Sequence, residues 1–159
     1  MYKKFVKRIL DIILSTIGLV VLFPFFIIVG IAIKLDSSGP VIFTQQRVGL
    51  NKQSFRIYKF RTMHAAAPSD TPSWELANVD QYITKLGKFI RKTSIDEFPQ
   101  LYNVLKGDMS LIGPRPVIRG ERELIEERYE RGVYDVLPGL TDRPCPDPLG
   151  EREGLPSHP

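Results

Sequence analysis

The residues best suited to chemistry lie close together. Ser94-Ile95-Asp96-Glu97 sets two carboxylates side by side, with Arg91 just upstream. Arg115 follows in Gly113-Pro114-Arg115-Pro116, on a backbone stiffened by two prolines. Adjacent carboxylates can hold a divalent metal or attack phosphorus, and guanidinium groups clamp phosphate oxygens bidentately. The same four residues also match the S-x-x-E capping box, in which Ser94 caps a helix and Glu97 reaches back to it. Acidic residues in a first helical turn are favourable by about 0.3–1 kcal/mol through the macrodipole, without any catalytic role. Both readings stand at this level. In Phe55-Arg56-Ile57-Tyr58-Lys59-Phe60-Arg61, period-2 alternation puts Lys59 and Arg61 on one strand face, which suits an anion or acidic headgroups and equally suits plain solvation.

These residues need elements to hold them. Ile83, Leu86, Phe89 and Ile90 recur at helical spacing, with Lys85, Lys88, Arg91 and Lys92 on the other faces and in the last turn. After the break at Thr93-Ser94, Phe98, Leu101, Tyr102 and Leu105 supply the apolar stripe of a second helix, ended by Gly107-Asp108. The N-terminus of that helix is expected to offer free backbone N–H groups to an anion. Val41-Ile42-Phe43 and residues 55–61 read as two strands joined by the turn Gly49-Leu50-Asn51-Lys52. Residues 65–78 read as a loop, in which Trp74 suits either a membrane interface or a surface groove.

Upstream of all this, 19 of the 25 residues from 9 to 33 are apolar, and Asp11 is the sole ionisable one. A straight helix of that length reaches about 38 Å, more than the roughly 30 Å of a hydrocarbon core, so the stretch reads as a membrane segment. It is longer than the apolar part of a cleavable signal, and no small-x-small site closes it before Lys34. Pro24 sits mid-way and is expected to bend it. A mild kink gives a spanning helix; a sharp break gives a re-entrant hairpin. Basic residues flank both ends, which mildly favours the hairpin.

Composition narrows the partners. The chain has 159 residues, 22 Lys+Arg, 18 Asp+Glu and a net charge of +4. Lys3, Lys4, Lys7 and Arg8 carry that whole surplus, and the remaining residues are neutral in sum. Nucleic acid is not an expected partner, because such binders spread their basic surplus over a folded face. Cys145 is the sole cysteine, which excludes an internal disulfide or a cysteine-rich zinc site.

The run from Ser94 through Pro116 closely resembles the signature of the bacterial sugar transferases, the monotopic phosphoglycosyl transferases. Lys59-Phe60-Arg61-Thr62-Met63 matches a second motif of that family, and Pro138-Gly139-Leu140-Thr141 opens a third. The resemblance covers roughly residues 7–141. It implies an α+β protein: a re-entrant (or single) membrane helix over residues 1–36, then a small, mostly helical cytoplasmic catalytic domain with a short β-hairpin over residues 37–141. It also implies transfer of a sugar-1-phosphate from a UDP-sugar to undecaprenyl phosphate, with release of UMP. In that scheme Asp96 is the nucleophile of a covalent phosphosugar intermediate, and Glu97 is its partner in the dyad and helps place Mg²⁺. Arg91 and Arg115 contact phosphate, and Lys59 and Arg61 are further candidates for the anionic site. Pro24 matches the family's helix break, although Phe23 stands where relatives often carry serine. The implied location is the cytoplasmic face of the bacterial inner membrane. The sugar, the pathway and the oligomeric state stay open.

Residues 142–159 depart from the pattern. They are Pro-rich, nearly devoid of apolar residues, and carry four acidic and two basic groups. Codons permitted for residues 142–147, read one base later, spell Thr-Gly-Leu-Ala-Gln-Ile, close to the family's continuation. The expectation is a frameshift after Thr141 and a disordered tail, with an inactive membrane-bound remnant as the alternative to an active transferase.

Overall fold

The computed structural model describes residues 2–68 and 78–142. Trp74, Cys145 and the tail from residue 143 onward, with the expectations attached to them, lie outside the described residues.

Helix α1 (Tyr2–Asp36) runs for 35 residues, about 52 Å at 1.5 Å per residue. It is continuous through Pro24, so the apolar stretch forms a single helix rather than two helices about a break. Its surface is inverted relative to a helix of a water-soluble domain. The face turned to the protein carries buried Asp11 and Ser15, while Val20, Val21, Phe23 and Ile28 are each more than 60 % exposed. Only 11 % of its most apolar window is buried, at a mean hydropathy of 2.9. So large an exposed apolar surface is stable against lipid and not against water.

The rest of the protein packs along nearly the whole helix. Near its start, Lys7 donates to Ser110 Oγ and to the Ile112 carbonyl. Arg8 donates to the Val104 and Leu105 carbonyls at 2.6 and 2.9 Å, and Asp11 accepts from Ser110 Oγ and the Leu111 N–H. In the second half, Phe25 meets Phe98 at 6.4 Å and Phe26 meets Phe60 edge-on at 5.4 Å. Val29 and Ile33 join Phe60 and Ile90 in one core cluster. At its end, Arg61 donates to the Ser37 and Ser38 carbonyls.

The hairpin follows. Strands β1 (Ile42–Val48) and β2 (Ser54–Phe60) pair antiparallel over seven positions, and the connection holds a 3-10 turn at Leu50–Lys52. The first strand is longer than residues 41–43, because Thr44 through Arg47 are polar yet fully paired with Arg56–Tyr58 and Phe55 across the ladder. Helices α2 (Lys85–Lys92) and α3 (Gln100–Lys106) come next, then β3 (Ser110–Gly113), β4 (Val117–Ile118), α4 (Arg122–Glu130) and β5 (Gly139–Asp142). The larger sheet has the order β2-β1-β4, and β3 pairs in parallel with β5. Gly107, at φ +103°, ends α3 in the left-handed conformation, as its sequence position suggests.

Strand β2 is a sheet edge, and Asn103 of α3 completes it. The fully buried amide donates to the Arg56 carbonyl at 2.8 Å and accepts from the Tyr58 N–H at 3.1 Å, in place of a neighbouring strand. Asn103→Ala should destabilise the protein by about 2–3 kcal/mol by stranding both backbone groups. Thermal unfolding in detergent checks this, and a loss under about 0.5 kcal/mol would contradict it.

Candidate active site

Three elements bring the charged residues together. Lys59 is the penultimate residue of β2, Arg91 lies in the last turn of α2, and Arg115 lies between β3 and β4. The carboxylates sit between α2 and α3, on a 3-10 turn at Ile95–Glu97. Thr84 caps α2 by accepting from the Gly87 N–H, and its own N–H donates to the Thr62 carbonyl, which sets α2 against the chain leaving β2.

The capping box does not form. Ser94 is left-handed at φ 56° and ψ 18°, makes no side-chain cap bond, and so reverses the chain between α2 and the dyad. A non-glycine residue in that region costs on the order of 1–3 kcal/mol and is typical of a functional turn. Asp96 and Glu97 lie in this short 3-10 turn, which Phe98 and Pro99, both in the right-handed helical region, join to α3, so the acids are not in the first turn of α3 itself. The Glu97 carboxylate is drawn instead to cations that only the tertiary fold supplies.

Lys59 Nζ and Arg115 Nη2 both donate to Glu97 Oε1, at 2.8 and 2.9 Å. Asp96 is held less tightly by these cations. Its Oδ2 is 4.0 Å from Lys59 Nζ, an ion-pair distance rather than a hydrogen bond. Arg91 is held by a 2.9 Å bond from its Nε to Thr62 Oγ1 and is electrostatically coupled to Asp96. The two carboxyls are thereby pushed apart. Burial raises the Asp96 carboxyl above its ordinary range, with Lys59 opposing and the Glu97 charge adding to the rise. Burial also pushes Glu97 upward, but Lys59 and Arg115 outweigh it and the net shift is downward. Neighbouring acids tuned in opposite directions are suited to different roles.

Arg61 is not brought to the dyad's hydrogen-bond network. Strand β2 stops at Phe60, and the Arg61 guanidinium turns to Ser37 and Ser38, binding the C-terminal end of α1 to the wall of the cleft. Gly39, at φ +119°, makes room for it, since a Cβ there would strike the guanidinium. Pro24 lies within α1 and is not among the residues that line the cleft.

Asp96, Glu97, Lys59, Arg91 and Arg115 line one cleft of about 740 Å³, within the usual size of a small-molecule site. Arg47, Thr62 and Arg128 line it too and escaped the sequence reading. For Arg47 a signal was present: Phe43, Gln45 and Arg47 alternate along β1 as Lys59 does along β2, and all of them reach the cleft. Among the described residues no group of three or more His, Cys, Asp or Glu could hold a metal. Two adjacent carboxylates still match Mg²⁺, which commonly takes one or two carboxylates with phosphate oxygens and water.

Lys59 favours the charged form of both carboxyls, so Lys59→Met should raise the pH at which Asp96 and Glu97 ionise. Carboxyl-detected NMR in detergent micelles reads both midpoints. Midpoints that stay put would remove Lys59 as the tuning cation.

With this geometry in view, comparison with known proteins is informative. The family model described as bacterial sugar transferase matches residues 2–143. A Bacillus subtilis (strain 168) protein, provisionally named as an undecaprenyl-phosphate N-acetylgalactosaminyl 1-phosphate transferase, is 43 % identical over 138 residues, covering 87 % of this chain and 72 % of its own. The undecaprenyl-phosphate glucose phosphotransferase of Komagataeibacter xylinus is 42 % identical over 140 residues, covering 85 % of this chain and 26 % of its own. The UDP-glucose:undecaprenyl-phosphate glucose-1-phosphate transferase of Escherichia coli (strain K12) is 41 % identical over 142 residues, covering 87 % and 30 %. The chain thus spans most of the first relative and about a third or less of the other two. Over the part they share, extending from the apolar helix through the paired carboxylates to β5, this chain belongs to the bacterial sugar transferase family.

Proposed function

We propose that the chain transfers a sugar-1-phosphate from a UDP-sugar to undecaprenyl phosphate at a membrane surface, releasing UMP. The observation that carries this is the asymmetry of the dyad: Glu97 is clamped by two cations through one oxygen, while Asp96 beside it accepts no hydrogen bond from a cation among the described residues. A carboxylate held without such a bond keeps its lone pairs for phosphorus. In the first half-reaction an Asp96 oxygen attacks the sugar-bearing phosphorus, the bond to the bridging oxygen breaks, and its electron pair leaves with UMP. In the second, an oxygen of undecaprenyl phosphate attacks the same phosphorus and the Asp96 carboxylate is restored. Lys59, Arg91 and Arg115 offset the repulsion between the attacking carboxylate and the anionic substrates. Asp96 and Glu97 are the residues that would hold Mg²⁺, which when bound supplies further neutralisation of the diphosphate.

The fold supports a monotopic placement. Groups from Lys7 to Ser38 touch the same catalytic domain. A transverse helix would drag the charged surface of α2, with Lys85, Lys88 and Lys92, into hydrocarbon. Lying with its apolar face in one leaflet, α1 leaves the cleft at the surface on which a polyprenyl phosphate is presented. Basic flanks favour the cytoplasmic side of the inner membrane.

Membranes carrying the chain, incubated with UDP-sugars and undecaprenyl phosphate, should release UMP, and Asp96→Asn should reduce release by at least about 10³-fold. Release that survives the substitution contradicts the nucleophile assignment. In a Cys145→Ser background, Lys3→Cys and Ser38→Cys should label from the same side of sealed vesicles; labelling from opposite sides would show a spanning helix.

A further inference from the structure

Arg47 has no role in the scheme above, and its surroundings are unusual for a guanidinium. It sits in β1 on the cleft wall, Nη1 donating to the Pro116 carbonyl at 3.1 Å and Nη2 to Gln45 Oε1 at 2.8 Å. Its Nε is buried and, like that of Arg61, has no hydrogen-bond partner among the described residues. Among the described residues no carboxylate lies within ion-pair distance of Arg47, although Arg115 is close enough to repel it. Burial and that repulsion lower the Arg47 pKa to about 10. Glu121 and Glu97 act on it only at a distance, and a partly desolvated cation with no carboxylate in contact is costly, the more so beside a second cation.

The imbalance extends along the cleft, where among the described residues six Lys and Arg side chains stand against three carboxylates. It also has a direction. Arg91 is coupled to Asp96, whereas Arg47 and Arg115 stand on the Glu97 side. An in-line attack by Asp96 sends the leaving group away from Asp96. Arg115 is held where it is by its own backbone, since Arg128 donates to the Arg115 carbonyl and Arg47 to the next one.

Resting on the transferase reading, we propose that Arg47 and Arg115 form the subsite for the departing phosphate of a nucleoside diphosphate donor. As the phosphorus–oxygen bond to the nucleoside monophosphate breaks, the electron pair and negative charge collect on that phosphate. The partly desolvated Arg47 guanidinium, crowded by the exposed Arg115, gains most when an anion enters between the two.

The test is binding rather than turnover: the full chain in lipid nanodiscs, titrated with UMP and with uridine by calorimetry. Arg47→Gln should weaken UMP by at least about tenfold, the scale of one charged hydrogen bond, and leave uridine unchanged. Arg47→Lys should recover part of the loss, as a point charge without the planar fork. Equal UMP affinity in wild type and Arg47→Gln overturns the subsite, as does a parallel loss of UMP and uridine, which would mark a purely structural role. Should Arg47→Gln fail to fold by circular dichroism, Arg47→Lys decides alone: UMP weakened with uridine unchanged supports the subsite, and unchanged UMP overturns it. Asp96→Asn should keep UMP binding. UMP release by wild type with no Arg47 dependence of binding overturns the subsite alone; a wild type that neither releases nor binds UMP overturns the transferase reading with it.

Discussion

The structure is organised around a helix that belongs to two solvents at once. The outward surface of α1 is apolar and needs lipid, while its inner stripe carries Arg8, Asp11 and Ser15 and needs hydrogen-bonding partners. Asp11 is tolerable in an apolar helix because Ser110 and the Leu111 N–H satisfy it and Lys7 lies at 3.8 Å. Those contacts fix β3, which leads directly to Arg115. Arg8 occupies the last carbonyls of α3, where cations suit the helix end. At the far end, Arg61 ties Ser37 and Ser38 to the chain leaving β2, just past Lys59. The long apolar helix is therefore the common support of the strand and loop that carry the cations.

On that support, the site solves an electrostatic problem. Two adjacent carboxylates repel each other and repel phosphate. Placing both Lys59 and Arg115 on one oxygen of Glu97 stabilises that charge and leaves Asp96 comparatively unpaired. The left-handed Ser94 and the 3-10 turn put the two side chains where a regular helix would not. Positive charge in excess of what the dyad needs lies along the cleft, with Arg47 and Arg115 at one side and Arg91 at the other.

Much of this was legible in the residues. The adjacent carboxylates, the arginine between two prolines, the lysine of the second strand and the long apolar stretch each carried a local signal of type or spacing. The capping box was misleading because local pattern competes with long-range charge: Glu97 finds stronger partners in Lys59 and Arg115 than in a backbone N–H at Ser94. Arg61 shares a period and a cleft with Lys59 and its N–H still bonds the Val41 carbonyl, but its guanidinium is taken up by Ser37 and Ser38 at the end of α1. Asn103 gave no sign at all, since an amide that completes a sheet edge is indistinguishable in sequence from a helical surface residue.

By itself the sequence determined which chemistry was available. Hydrophobic periodicity, turn residues and the motif runs depend on local steric and solvation preferences, and these place an apolar helix, a hairpin and two helices flanking a carboxylate pair. Only the tertiary structure decided which cation meets which carboxylate, that α1 is one continuous helix packed along the domain, and that Arg47 is half-buried with no described carboxylate at ion-pair distance. Those outcomes depend on contacts between residues tens of positions apart, such as Lys59 with Glu97 and Lys7 with Ser110. The energy of a charge is set by what surrounds it in space, and no local pattern encodes that.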